Sequence, residues 1–337
     1  MFIALKADLE NILAGKVLCR EQVSAEAVTT FGLGAPLPLI VEPRSIEALS
    51  AVIKQFAVYG FSPRILGHGS NVVLPDEVVS FPVIQLGEAF RKFTLVNNVS
   101  AGELEGLLSA EPAALVAPPE GGAVELLAFA QTNMMMLSQK LTKLGLGGFE
   151  YAAGIPASIG GALYMNAGAH GWSICNCLRK LWLLNARGEI EERQGENLNF
   201  GYRSSGLNDN ELIVAGLFVL QQEDVEIVRE RRRKALDYRQ ATQPLQYPSA
   251  GSVFRNPSAQ TGQEGKSDAL SAGKLLDDCG LKGQRCGGVE YSTLHANWLI
   301  RVAPEAKTAD VLSLLAEGKK RVQEKFGLEL HSEIKFW

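Results

Sequence analysis

Apolar positions recur at helical spacing between 45 and 59, where Ile46, Leu49, Ile53 and Phe56 share one face and Ser45 is an N-cap residue. Shorter runs follow. The segment 63–66 reads as a strand leading into Gly67-His68-Gly69-Ser70-Asn71, and 81–86 (FPVIQL) and 94–99 (TLVNNV) read as strands too. Between about 104 and 144 the period is lost. There Pro118-Pro119 and Gly121-Gly122 punctuate an alanine-rich stretch before a helix predicted at 133–144. Met134, Met135 and Met136 are consecutive, so they cannot all share a helical face, and they read as core filler. After a glycine-rich stretch at 145–171, strands are predicted at 178–185 and 211–221, then a helix of interleaved charge at 224–239. Beyond it come a small helix at 271–279, strands at 286–290 and 297–302, a helix at 308–326 and a terminal strand at 328–336. The texture changes near 223, which divides the chain into an N-terminal domain, 1–222, and a C-terminal domain, 223–337.

Composition narrows the function classes. A chain of 337 residues exceeds one typical domain and can bury a large core without disulfides or metal. A formal charge of −4 gives no bulk attraction for nucleic acid or an anionic membrane. The basic run Arg229 to Lys234 is interleaved with Glu223, Asp224, Glu226, Glu230 and Asp237, which reads as the solvated face of a helix. Five cysteines without CxxC spacing and four scattered histidines argue against zinc, and reduced thiols fit a cytoplasmic protein. The N-terminus carries Lys6, Asp8 and Glu10 and so lacks the apolar core of a signal peptide. No window has the roughly 18 apolar residues of a membrane span.

Two glycine clusters are the first candidates for chemistry. Glycines in Gly67-His68-Gly69-Ser70-Asn71 leave backbone N–H groups uncovered, as a phosphate-binding loop does, although an ordinary tight turn has the same composition. Neither the Walker pattern nor GxGxxG is present. The second cluster, Gly154-Ile155-Pro156 with Gly160-Gly161 and Asn166-Ala167-Gly168, reads as loop built to lie against something flat or charged, because internal glycines weaken a helix. Two such loops suggest one extended cofactor, gripped at its pyrophosphate and its ring. Three further positions are chemically apt but ambiguous alone. Arg203, in Gly201-Tyr202-Arg203-Ser204-Ser205, offers a fork of donors for an oxyanion or is a surface arginine. Ser252, in GSVFRNP (251–257), offers a hydroxyl without the order of partners of a hydrolytic triad. Glu333 alternates with His331 and Lys335 near the C-terminus, as a solvent-facing strand residue also would.

In order along the chain, TTFGLG (29–34), LGHGSN (66–71), GIPASIGGALYMNAGAHG (154–171), GYRSS, GSVFRNP, AGKLLDDCGLKGQRCGG (272–288) and the terminal SEIKFW resemble the UDP-N-acetylenolpyruvoylglucosamine reductase family. The resemblance runs from about Thr29 to the C-terminus and is interrupted by an insertion near 94–124. It implies an α+β fold: an FAD-binding module of the vanillyl-alcohol-oxidase type, followed by a smaller α+β substrate-binding domain. It also implies non-covalent FAD, held by Gly67, His68, Gly69, Ser70 and Asn71 at the pyrophosphate and by Ala153, Gly154, Ile155, Pro156, Ser158, Gly160, Gly161, Asn166, Ala167 and Gly168 elsewhere. NADPH is the implied reductant, a UDP-sugar the implied substrate, and peptidoglycan precursor synthesis the implied context. By position, Arg203 and Glu333 match the pair that polarises the substrate carboxylate and Ser252 matches the proton donor, with Tyr202 and Asn256 as substrate-binding residues. A monomer without membrane or nucleic-acid partners is expected. The chain departs from the family pattern at Ala35 and Leu37, at His68 in place of a common glycine, at AFAQTN (128–133) in place of a Gly-Ala-Gly turn, and at Arg301 in place of an asparagine. Its short spacing from Arg203 to Ser252 is similar to the family variant without an extra loop over the substrate. Two rival readings remain: a flavin oxidoreductase of the same module acting on another substrate, and a non-catalytic nucleotide-binding paralogue.

Overall fold

The computed structural model describes residues 1–111, 122–257 and 271–337, and so leaves part of the 94–124 insertion, with Pro118-Pro119 and Gly121, outside the described residues. The chain is α+β, with helices and short strands interspersed along both halves. It forms two compact units. One comprises Met1–Glu21, Pro38–His68 and Ser80–Asp237, and the other comprises Gln22–Leu37, Gly69–Val79 and Tyr238–Trp337. Two N-terminal segments therefore pack with the C-terminal stretch, which a single cut near 223 does not contain.

The first unit is built on an antiparallel sheet in the order Ile190–Gln194, Leu178–Leu184, Leu212–Gln222, Ala123–Phe129 and Phe93–Val96, with Leu146–Gly147 pairing the far end of Leu212–Gln222. Its central strand, LIVAGLFVLQQ, is a near-continuous apolar run because both its faces are covered. Gly216 in that strand admits Leu163: a Cβ there would lie 3.1 Å from the Leu163 side chain and 2.8 Å from Phe218. Phe129, Phe149, Trp182 and Phe218 fill the core, joined by Leu49, Ile53 and Phe56 from the helix Ile46–Val58. That helix starts as its sequence predicts, with Ser45 Oγ accepting the Ala48 N–H at 3.0 Å. The helix Met134–Lys143 is capped by Asn133 Oδ1, which accepts from Met136 N at 2.9 Å. Only Met134 of the three methionines is fully buried; Met135 is exposed. The charged helix Val225–Thr242 pairs its own residues and their neighbours, with Arg233 on Glu230 at 2.7 Å and Arg231 on Glu223 at 2.6 Å.

Three sequence expectations are corrected. The stretch holding Gly160 and Gly161 is not loop but the first turn of a helix, Ile159–Tyr164. Ser158 Oγ caps it on Gly161 N at 3.2 Å, and a Cβ on Gly160 would come within 2.9 Å of Ala130, so the glycine penalty is offset by close docking. The terminal strand shrinks to Lys335–Phe336, because 328–334 instead runs beside the 251–257 turn. At 63–66 only Ile65 makes a ladder contact, a parallel bridge to Ile84. The sequence reading also missed a helix at Phe2–Ile12, which buries Leu5 and Leu9 but has no side-chain cap, and a strand at Val17–Val23.

The second unit packs the helices Ala272–Asp278 and Thr308–Phe326 with a small antiparallel sheet of Arg285–Cys286, Val289–Tyr291 and Leu299–Arg301. Phe31, Val73, Phe254, Tyr291, Leu314 and Leu330 form its core. Val72–Val73 pairs in parallel with Lys335–Phe336, so the N-terminal segment is woven into this unit by backbone hydrogen bonds. Asp76 completes the weave by capping the long helix, accepting from Thr308 N at 2.9 Å and Ala309 N at 3.0 Å.

Candidate active site

In the first unit Gly67 meets the second glycine cluster. Gly67 lies so close to the second cluster that a Cβ on it would be 2.5 Å from Ser158 Oγ. Gln85 Nε2 donates to the Gly67 carbonyl at 3.2 Å, which fixes the strand-to-loop exit. His68 bonds the backbone of Gln131. Burial, followed by the nearby Arg91 charge, holds the His68 pKa below its ordinary value despite that bond. Ser158 is almost fully buried and engaged in its cap, and Ala153 is wholly buried. The other residues of the cluster, Gly154, Ile155, Pro156, Gly161, Ala167 and Gly168, are at least partly accessible.

The second cluster also reaches the arginine turn. Asn166, with φ +43°, donates from Nδ2 to the Gly201 carbonyl at 2.9 Å. Gly201 and Ser204 close a tight turn, Gly201 N on Ser204 O at 2.9 Å and Ser204 N on Gly201 O at 3.1 Å. Arg203 sits at its tip with φ +55°, a left-handed conformation that costs a non-glycine residue roughly 1 kcal/mol or more. Its guanidinium lies 5.2 Å from the Tyr202 ring centroid and donates to the Gly168 carbonyl at 3.2 Å. The strain is held by these contacts and aims the cation at the edge of the glycine cluster. Asn166 Oδ1 is buried without a partner among the described residues, and open space adjoins Gly201 where a Cβ would stand. An acceptor without a donor, beside room for a flat group, is the environment a ligand bearing an N–H would complete.

In the second unit Ser252 and Glu333 are neighbours. Ser252 forms an antiparallel bridge with Trp298, and Val253 O accepts from Glu333 N at 2.8 Å. Asn297 holds the turn from both sides: its Oδ1 accepts from Phe254 N at 2.9 Å and its Nδ2 donates to Phe254 O at 2.8 Å. Glu333 O also accepts from Asn71 Nδ2 at 3.1 Å, so Asn71 of the first glycine loop braces the terminal segment. Gly69, with φ +65°, abuts the Val28 carbonyl, and its own carbonyl accepts from Thr30 N at 3.1 Å. Ser70 is half-buried in the same loop. Asn256 Oδ1 accepts from Ala272 N at 3.0 Å, a bond that anchors the following helix. Arg301 ties the early segment down, donating to Glu26 at 2.7 Å and to the Gly32 carbonyl at 3.1 Å. Asn297 and Trp298 were not singled out from sequence, where they belong to the strand predicted at 297–302.

His295 gives this turn a pH dependence. Its Nδ1 accepts from Asn297 N at 3.1 Å, and Gly273 of the next helix closes over its ring. Burial, then Lys282, pushes its pKa below 6.5, opposed by its own backbone hydrogen bond and then by Asp277. Because the folded pKa is depressed, the unfolded chain binds the extra proton first as pH falls. The contribution is complete above pH 6.5 and is lost as pH drops through the folded value. Melting temperature is therefore expected to fall below pH 6.5, and His295→Gln is expected to flatten that slope; an unchanged slope contradicts the assignment.

Among the described residues, no helix is long and apolar enough to cross a membrane, and no cluster of three or more His, Cys, Asp or Glu side chains is suited to a metal ion. The family model for the C-terminal domain of UDP-N-acetylenolpyruvoylglucosamine reductase matches residues 243–337. The UDP-N-acetylenolpyruvoylglucosamine reductase of Bacillus pumilus is 32% identical over 98% of this chain and 97% of its own length. The corresponding protein of Bacillus subtilis is 33% identical over 97% of this chain and 96% of its own length. The crystal structure of the UDP-N-acetylenolpyruvylglucosamine reductase from Thermus caldophilus superposes with a TM-score of 0.71 at 28% identity, covering 95% of this chain and 98% of that one. On full-length similarity of sequence and fold together, the chain belongs to the UDP-N-acetylenolpyruvoylglucosamine reductase family.

Proposed function

We propose that this protein reduces the enolpyruvyl group of UDP-N-acetylglucosamine enolpyruvate to give UDP-N-acetylmuramate, with non-covalent FAD as cofactor and NADPH as reductant. Full-length similarity to reductases of that name carries the reading; a flavin oxidoreductase acting on another substrate has no use for the 251–257 and C-terminal motifs, and the joint retention of Arg203, Ser252 and Glu333 argues against a non-catalytic paralogue. The residues fit an FAD. Gly67 to Asn71 are suited to its pyrophosphate, and 153–168 to the rest, with Asn166 Oδ1 as acceptor for an N–H of the flavin ring. When bound, the flavin supplies hydride to the enolpyruvyl double bond.

The chain's own groups handle charge and proton. In this reading Arg203 and Glu333 polarise the substrate carboxylate, where negative charge develops, and Ser252 donates the proton to the neighbouring carbon. Tyr202 stacks on Arg203 and restricts it, and Asn256, which anchors the helix Ala272–Asp278, contributes at the substrate side. A soluble, cytoplasmic monomer acting in peptidoglycan precursor synthesis completes the proposal.

Separating the half-reactions tests these roles. Arg203→Ala and Glu333→Gln are expected to keep FAD content and NADPH-driven bleaching near wild type while slowing reoxidation by the nucleotide sugar roughly 10²-fold or more. Equal loss in both half-reactions, or loss of bound FAD, would remove the two residues from the carboxylate site.

A further inference from the structure

Trp298 carries a donor that the fold leaves without an acceptor. The residue is 7% exposed, and its Nε1 is buried with no hydrogen-bond partner among the described residues. Indole N–H is a donor only, and a buried donor without an acceptor costs roughly 1–3 kcal/mol. The backbone around it is by contrast fully engaged: Trp298 N donates to His295 O at 3.1 Å and Trp298 O accepts from Ser292 N at 2.8 Å. The main chain that carries the ring is thus held in place. Trp298 also pairs with Ser252 across an antiparallel bridge, and residues directly opposite in such a pair project their side chains from the same face with Cβ atoms about 4.5–5.5 Å apart. The orphan donor is therefore on a ring rooted beside the proposed proton donor.

We infer that Trp298 is a substrate-positioning residue, whose indole N–H donates to an oxygen of the enolpyruvyl group and so holds that group against Ser252. The inference rests on the proposed function, since it names a further contact in the same site. A ligand oxygen at Nε1 removes the desolvation cost that the free protein carries, so the bond favours the bound state by more than an exposed one would. It also explains the presence of a Trp in the apolar run NWLI, where a Phe would fill a core without an unmatched polar atom.

Two variants test this, both read by calorimetric titration of the holoenzyme with the enolpyruvyl nucleotide sugar and, separately, with UDP. Trp298→Phe removes the N–H and some volume. Benzothienylalanine at 298 removes only the N–H, sulfur taking its place in a ring of the same shape, so packing is preserved if the Phe variant folds poorly. The expected result is about a 10-fold loss of affinity for the enolpyruvyl sugar in both, with UDP affinity and NADPH-driven bleaching unchanged. Unchanged affinity for the enolpyruvyl sugar in the benzothienyl protein overturns the inference, as does an equal loss for UDP, which would put the contact at the nucleotide. If wild-type protein binds UDP but not the enolpyruvyl sugar, the functional reading itself fails, a result distinct from either.

Discussion

Ser252→Ala is expected to leave NADPH-driven bleaching within about twofold of wild type and to slow reoxidation by the enolpyruvyl nucleotide sugar by roughly 10²–10⁴-fold, the range over which a positioned proton donor acts. The substitution is small and local. Ser252 is only half-buried, and the turn that carries it is held by main-chain bonds and by Asn297, none of which uses its hydroxyl. Fold and cofactor content therefore stay as they are, and the loss isolates proton delivery. Stopped-flow spectroscopy of each half-reaction reads the split, and a solvent isotope effect present in wild-type reoxidation but altered in the variant ties the loss to proton transfer. Comparable slowing of both half-reactions would exclude the donor role.

Gly69→Ala is expected to have the largest structural effect. The glycine has φ +65°, and an added Cβ would stand 2.0 Å from the Val28 carbonyl oxygen and 2.7 Å from Thr29 Cα, both backbone atoms with no rotamer to relieve them. The loop must shift, and the bonds from Thr30 N to Gly69 O and from Thr30 Oγ1 to Ser249 O shift with it. A destabilisation above about 4 kcal/mol is expected, in the class produced by strain at a special backbone position combined with overpacking. It should appear as a melting temperature many degrees below wild type and as weak FAD retention on gel filtration. Gly15→Ala is the control. It shares a positive φ, at +74°, but an added Cβ there would meet nothing within 4 Å, so only the roughly 1 kcal/mol conformational cost applies. Equal effects from the two would show that backbone conformation alone, not the close approach at Val28, governs the first glycine loop.

Long periodic elements were legible from sequence because their signal is repeated. The helix predicted at 308–326 is found at Thr308–Phe326, and the helix at 45–59 starts at its predicted cap. Short strands were not, since Val83–Ile84 and Arg285–Cys286 are two-residue pairings whose limits are set by their partners rather than by their own pattern. The N-terminal helix Phe2–Ile12 escaped for a different reason: its two fully buried leucines are a weak period, and no capping residue announces it. The glycine clusters were legible as places of close approach, and Gly67 against Ser158 and Gly160 against Ala130 have that geometry. Their secondary structure was not legible, because propensity disfavours a helix that starts with Gly160-Gly161 and only the docking surface at Ala130 reverses it. At the site, residue type pointed to Ser252 and Glu333 separately. Their adjacency depends on a hydrogen bond between segments distant in the chain, Glu333 N to Val253 O, which no local pattern encodes. Trp298 lay in an apolar run, and only the lack of an acceptor for Nε1 among the described residues distinguishes it from core.

Anaerobic spectroscopy of the purified protein tests the reaction itself. The protein is brought to its FAD-bound form, bleached with one equivalent of NADPH, and then given the enolpyruvyl nucleotide sugar. The expected result is yellow colour that NADPH removes and that this sugar restores stoichiometrically, with UDP-N-acetylmuramate as the product. A protein that bleaches but stays bleached with the sugar present, or one that takes up no FAD, would contradict it.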